Sequence, residues 1–243
     1  KNDKEAIESI VLSFSEEKDL HNVIHSIIID PKSSALTKVQ LLTAVGFLEK
    51  LPTTLLETLK ASLHSSSIKV KGAAIALISR FDSEKSIVDA LRVISANKKE
   101  NTSIRVAAME VIAKQDISLK EEQFNYLASI IADQNSSPSL RSNASRALSR
   151  IIISPKNHLQ AIALCKLIPK ASPLQINYLT RPFINSASNF SEPSSTEDVN
   201  RIGIQLANSL NKVQNSIHLN DLTIIAQSFP ESAKEAHSAL SSL

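Results

Sequence analysis

One pattern of residues recurs at a fixed spacing, and that spacing limits the fold more than any other feature of the chain. In Ser103-Ile104-Arg105-Val106-Ala107-Ala108-Met109-Glu110-Val111-Ile112 the order is hydroxyl, apolar, basic, two variable positions, small, two variable positions, apolar. The same order stands 36 residues earlier, as Ser67-Ile68-Lys69 with Gly72 and Ile75. It stands again 36 residues later, as Ser139-Leu140-Arg141 with Ala144 and Ala147-Leu148. A repeat of this period is one supersecondary unit that cannot bury its apolar face alone and stacks on its neighbours instead.

The spacing inside each copy is helical. The first apolar residue, the small residue four on and the apolar residue three beyond share one face of a helix. Ser67, Ser103 and Ser139 are suited to cap the first turn, because a Ser oxygen can accept one of its orphan backbone N–H groups. The small residue (Gly72, Ala108 or Ala144) is expected to admit a neighbouring helix closely. The basic residue (Lys69, Arg105 or Arg141) gains nothing from the macrodipole at a helix N-terminus. A carboxylate or carbonyl partner in an adjacent repeat would account for it, as would simple solvation.

Helical period continues on both sides of these copies. We expect helices at 4–14, with Ile7, Ile10, Val11 and Phe14 inward, and at 19–29, with Leu20, Val23, Ile24, Ile27 and Ile28 inward. Asp30-Pro31 ends the second, because the residue before proline is pushed out of the helical region. Further helices are expected at 34–50, from Pro52 through Leu63, and at 67–80, 83–96, 103–114, 118–132 and 139–151. The period persists, more loosely, at 155–167 with Leu159, Ile162, Ala163 and Leu167 inward, and then from Ser172-Pro173 through Phe183, where Pro182 is placed to kink the helix. Helices at 196–210, 218–229 and 231–240 close the chain. The Ser-rich segment 186–195, with Pro193, reads as its principal polar loop.

About fourteen helices pair into about seven units. The expected fold is therefore all-α: a right-handed α–α superhelix, one helical-repeat domain over 1–243, clearest over 67–151 and looser over 155–243. Composition agrees, with three Gly, two Tyr and no Trp in 243 residues. No apolar run approaches the ~18–20 residues that span a bilayer. A net charge of +3 is too small and scattered to point to nucleic acid.

No catalytic constellation, cofactor motif or convincing metal site emerges. His21 and His25 have the i, i+4 spacing that can clamp zinc, but Asn22 stands where a general-base Glu is needed, and no third ligand is placed. Cys165, the one cysteine, excludes internal disulfides and reads as a small buried hydrophobe. His158 lies two helical turns upstream of it, too far for a direct pair. Asn101, Asn135, Asn143 and Asn189 head glycosylation sequons, with Asn143 placed inside a helix.

The units Ile68-Lys69…Gly72, Ile104-Arg105…Ala108 and Leu140-Arg141…Ala144-Ser145-Arg146-Ala147-Leu148 resemble the second helix of HEAT repeats. The aspartate usual in that family, five residues before the apolar position, is replaced by Lys99 and Asn135. Ala171-Ser172-Pro173-Leu174-Gln175, Leu179-Thr180-Arg181-Pro182-Phe183 and Phe229-Pro230-Glu231-Ser232-Ala233-Lys234-Glu235-Ala236 follow in an order that resembles the helical middle region of large bacterial secreted proteins classed as membrane-bound dehydrogenases. There a β-propeller precedes the helices and a c-type cytochrome domain follows. The resemblance implies a non-catalytic scaffold or protein-interaction module within an exported, redox-linked protein. Its partners would be protein domains, with no nucleic acid, no membrane insertion by this segment and no cofactor within it. Haem c would belong to a neighbouring domain. Periplasmic or secreted placement follows if the resemblance holds, and cytoplasmic placement otherwise. Lys1 is not a natural start, and neither end shows a polar cap, so both ends are expected to abut further domains: a strand-rich one before Lys1 and a C-x-x-C-H site beyond Leu243.

Two other functions fit a helical repeat. One is a HEAT-type DNA glycosylase, which would need Lys69, Arg105, Arg141, Arg146 and Arg150 to converge in one groove beside an Asp. The other is a transport or adaptor scaffold.

Overall fold

The computed structural model describes residues 2–81, 84–115, 119–153, 158–190, 196–213, 217 and 219–243. Among these there are fifteen α-helices and no strand. They form two compact units, Lys1–Gln115 and Asp116–Leu243.

The first unit holds α1 (Asn2–Ser13), α2 (Lys18–Ile29), α3 (Ala35–Val45), α4 (Leu56–Leu63), α5 (Ile68–Ile78), α6 (Lys85–Ala96) and α7 (Thr102–Lys114). Each helix packs on the next but one. The row α1, α3, α5, α7 forms one layer and α2, α4, α6 the other. Helices within a layer run parallel. His21 meets Thr54 and His25 meets Thr58, both 33 residues apart, and Lys114 at the end of α7 donates to the Ser79 carbonyl at the end of α5. Consecutive helices joined by short turns run antiparallel, as the Arg105 Nε bond to the Ser95 carbonyl (3.1 Å) records for α6 and α7.

The second unit holds α8 (Glu121–Ala132), α9 (Pro138–Leu148), α10 (His158–Leu167), α11 (Pro173–Asn185), α12 (Ala187–Phe190), α13 (Thr196–Asn211), α14 (Leu219–Gln227) and α15 (Lys234–Ser241). Again alternate helices stack: α8, α10, α13 and α15 in one layer, α9, α11 and α14 in the other. The 36-residue step persists here as hydrogen bonds. Asn185 Nδ2 donates to the Ser149 carbonyl, Asn189 Nδ2 to the Ile153 carbonyl, and Ala236 N to Asn200 Oδ1, each across 36 residues.

The central copies of the pattern are buried as their spacing predicts. Ile104, Ala108 and Val111 are enclosed, as are Ala144, Ala147 and Leu148, while Leu140, the first apolar residue of the third copy, is half-buried. The first copy departs: Ile68 is 49% exposed, and the inward positions of α5 are Val70, Ala74, Ile75, Leu77 and Ile78. The chain's first helices are also rotated from expectation. Val11 is buried, but Ile10 (50%), Phe14 (54%) and Val23 (52%) face solvent, because α1 and α2 each have packed helices on one side only. Leu159 is likewise exposed; Leu167 is buried as expected, and the other inward positions of α10 are Ala161, Leu164 and Cys165, with Ile162 and Ala163 half-buried.

The caps shift by two residues in two of the three copies. Ser67 caps α5 by accepting from Val70 N. In α7 the cap is Asn101, whose Oδ1 accepts the N–H and hydroxyl of Ser103. In α9 it is Ser137, accepting from Leu140 N, ahead of Pro138 in the first turn.

The polar loop expected over 186–195 does not hold for its first half. Residues 187–190 form the helical turn α12, Ser186 is buried, and Phe190 is enclosed and stacked on Phe229 with ring centroids 4.7 Å apart. Ser186 Oγ accepts the Ile153 N–H (2.7 Å) and donates to the Pro182 carbonyl (2.6 Å). A serine satisfied inside the fold is not a loop signal, and one Phe anchors the turn. Residues 191–195 lie outside the described residues.

Candidate functional site

The histidine pair is structural. His21 Nε2 lies 2.7 Å from the Ser15 carbonyl, which can only accept, so this nitrogen carries the proton. Its Nδ1 accepts from the Thr54 hydroxyl at 2.7 Å, leaving neither nitrogen for a metal. His25 Nδ1 lies 2.9 Å from Thr58 Oγ1. The two residues form matching rungs between α2 and the helical segment that begins at Thr53. No group of three His, Cys, Asp or Glu side chains among the described residues could hold a metal ion.

Cys165 is enclosed in α10, and burial pushes its thiol up to about 12, which keeps it protonated and unreactive at neutral pH. His158 opens the same helix and points its Nδ1 toward Asp198 Oδ1 at 3.5 Å, at the start of α13.

Three of the repeat's basic residues have local partners. Arg105 holds the Ser95 carbonyl of the antiparallel helix, the kind of carbonyl partner expected at its position. Arg141 Nη1 donates to Gln134 Oε1 at 2.8 Å, and Arg146 Nη2 to Asn143 Oδ1 at 3.3 Å. Lys69 and Arg150 are exposed. The cation that does reach an acid in the next repeat is Lys71, not Lys69. Lys71 pairs with Glu100, just ahead of the Asn101 cap, with both side chains largely covered. The hydrogen bond from Lys71, then the Asn101 N–H, hold the Glu100 carboxyl below its ordinary value.

All four sequon asparagines are engaged, Asn135 with the Asp133 carboxylate through its backbone N–H and its side chain. Asn101 caps α7, Asn143 accepts from Arg146, and Asn189 clasps the Ile153 carbonyl. Asn135 is exposed in the turn before α9.

A recurrent turn escaped the pattern read from sequence. Asp30, Asn97 and Asp133 end α2, α6 and α8 in extended conformation. Each accepts, through Oδ1, the backbone N–H two residues on: Lys32, Lys99 and Asn135. Four residues after each stands the next cap, Ser34, Asn101 or Ser137. Its signal in the sequence is Asx-x-x-x-Ser/Asn, displaced two residues from where the HEAT-family aspartate is sought. The Asp133 carboxyl is held low mainly by the Asn135 N–H and then by the Ser136 hydroxyl.

Gly72 is not the tight contact that its place in the repeat suggests: a Cβ there would lie 3.6 Å from Ile104 Cδ1, ordinary packing distance. The close approach is at Gly203 in α13, where a Cβ would lie 2.2 Å from Ala236 Cβ in α15.

The class these observations define is an all-helical protein of stacked helices with repeat-to-repeat clasps. Comparison with known proteins gives no match: no protein family, no curated protein and no solved structure aligns with the chain. No helix among the described residues is long and apolar enough to cross a membrane.

Proposed function

We propose that this chain is a non-catalytic helical-repeat scaffold that binds or positions protein domains, its helix pairs coiling as a right-handed superhelix of the HEAT and armadillo kind. The observation that supports this most directly is that the clasps join residues about one repeat apart: 33 residues at His21–Thr54, His25–Thr58 and Ile153–Ser186, 35 at Ser79–Lys114, and 36 at Asn185–Ser149, Asn189–Ile153 and Asn200–Ala236. Polar side chains that would serve chemistry in an enzyme are spent on holding one repeat to the next. Solenoids built this way present extended surfaces, and each repeat supports only its neighbours.

In the setting that the dehydrogenase-like resemblance implies, the scaffold joins domains of an exported redox protein. Co-purification of this chain with the domains encoded beside it in the parent gene tests the reading. A stoichiometric complex is expected. Excision of alkylated or deaminated bases from duplex DNA by the chain alone would overturn it in favour of the glycosylase alternative. A parent gene without a C-x-x-C-H motif would remove the redox setting and leave the scaffold.

A further inference from the structure

Resting on the scaffold reading, we infer that one edge of the first unit, formed by the turns that precede α3, α5 and α7, docks an extended acidic polypeptide segment. These turns lie side by side. The Lys71–Glu100 pair ties the start of α5 to the turn before α7, and Gly72 abuts Ile104 in the first turn of α7. At the opposite ends of the same helices, Arg80 after α5 stacks over Phe47 after α3 (5.6 Å), so α3 is aligned with α5.

Each turn presents at least one exposed ammonium: Lys32 before α3, Lys69 in the first turn of α5, and Lys98 and Lys99 before α7. None of the four has an ion-pair partner among the described residues. The turns hold two carboxylates, Asp30 and Glu100. Asp30 is bonded to the Lys32 N–H, and Glu100 to Lys71. The far edge differs: the exposed carboxylates Glu16, Glu17, Asp19, Glu49, Glu57 and Glu84 stand there among the exposed cations Lys18, Lys50, Arg80, Lys85 and Lys114. The unit thus carries an excess of exposed ammonium groups at one edge and a mixture of both signs at the other. Ser34, Ser67 and Asn101 each take one first-turn N–H at the basic edge, and the attraction is assigned to the lysines.

The spacing of the repeat selects the partner. Packed helices stand ~8–10 Å apart, and an extended chain advances ~3.3 Å per residue. A carboxylate at every third residue therefore meets one ammonium per repeat. Nucleic acid fits less well. The three turns contain no Phe, Tyr or Trp on which a base could stack, and one exposed imidazole, His64. The arginine present, Arg105, is already bonded to the Ser95 carbonyl.

The test uses the whole chain and two fluorescent peptides of equal composition. In the spaced peptide the triplet Glu-Ser-Ser occurs four times in tandem; in the blocked peptide four consecutive glutamates precede eight serines. Binding is read by anisotropy at about 0.15 M salt, where screening leaves short-range charge contacts. The spaced peptide should bind more tightly than the blocked one. K32E/K69E/K98E should lose about tenfold or more, while K18E/K50E/K85E, with the same change in net charge, should stay within about twofold. Equal loss in both triple variants means that binding follows net charge alone and overturns the inference. So does equal affinity for the two peptides, or tighter binding of an oligothymidylate of the same charge. If the peptides fail while the encoded neighbouring domains still form a complex, the docking edge falls and the scaffold stands. If those domains also fail to bind, the scaffold reading falls with it. Unchanged helical circular dichroism in both triple variants is required for the comparison.

Discussion

Replacing Gly203 by alanine should destabilise the second unit, although the same change in an open helix would stabilise it. Gly203 lies inside α13, where alanine is favoured over glycine by about 1 kcal/mol through backbone entropy alone. Against that gain stands the packing of α15. The new Cβ would lie 2.2 Å from Ala236 Cβ, 3.0 Å from Ala236 Cα and 3.2 Å from Phe229 Cδ1. Carbon atoms attract best at ~3.5–4.0 Å, so the helices must separate by more than an ångström. That separation would strain the Asn200–Ala236 bond and the Phe190–Phe229 stack. Overpacking of this kind costs about 1–3 kcal/mol, and because Ala236 Cα belongs to the backbone, the upper end applies. The net expectation is a loss of about 1–2 kcal/mol, read as a lower urea midpoint at unchanged slope. The partner change A236G removes the nearest atom. It should cost up to about 1 kcal/mol by itself in helix propensity, yet in the double variant it should recover part of the G203A loss, giving a coupling of at least about 0.5 kcal/mol. Recovery stays partial because Ala236 Cα remains. A G203A protein as stable as the parent, or strict additivity in the cycle, would refute the close approach of α13 and α15.

Other substitutions probe the clasps and the core. Ala108→Leu, at a fully enclosed position of α7, should cost about 1–3 kcal/mol, and an unchanged thermal midpoint would place that face outward. Ser186→Ala leaves the buried Ile153 N–H without its acceptor and should cost about 1–3 kcal/mol by urea unfolding, with faster amide exchange at Ile153; unaltered exchange would mean that the bond does not hold that segment. For Lys71 and Glu100, the folded carboxyl sits below its ordinary value of 4.5, so the pair's contribution is full above that value and fades as pH falls below it. The stability gap between the parent and K71Q should therefore be present at pH 7 and shrink steadily below about pH 4.5, and a gap independent of pH would remove the charge-assisted bond from the account.

The repeat was legible because it is a matter of spacing, and spacing survives in a single sequence. Ile104, Ala108 and Val111 recur in step with their copies, and burial follows. What failed was any reading that needed to know which neighbour a helix has. Ile10, Phe14 and Val23 carry a helical apolar period as regular as that of α7, yet they face solvent because α1 and α2 are packed from one side. Ile68 fits the repeat pattern and is half exposed, since α5 is turned to bury Val70 and Ala74. Composition misled at 186–190, where serines and asparagines look like loop but serve as rungs to Ile153 and Ser149. Glycine misled in the same way. Gly72 occupies the small position of the repeat and has room to spare, whereas Gly203 falls in no motif and is the position where two helices meet. The same logic explains why lone candidates for chemistry dissolved into structure. His21, His25, Arg105 and Asn189 are each placed to reach a carbonyl or hydroxyl one turn or one repeat away. In a protein whose repeats have few large aromatic contacts, such polar rungs fix the register that the apolar faces leave free to slide. What is left over is a set of exposed lysines without an ion-pair partner among the described residues, Lys18, Lys50 and Lys85 at one edge of the first unit and Lys32, Lys69, Lys98 and Lys99 at the other. Lys32, Lys69, Lys98 and Lys99 differ from the others in having no exposed carboxylate in the turns around them, and the proposed docking of an acidic segment rests on that difference.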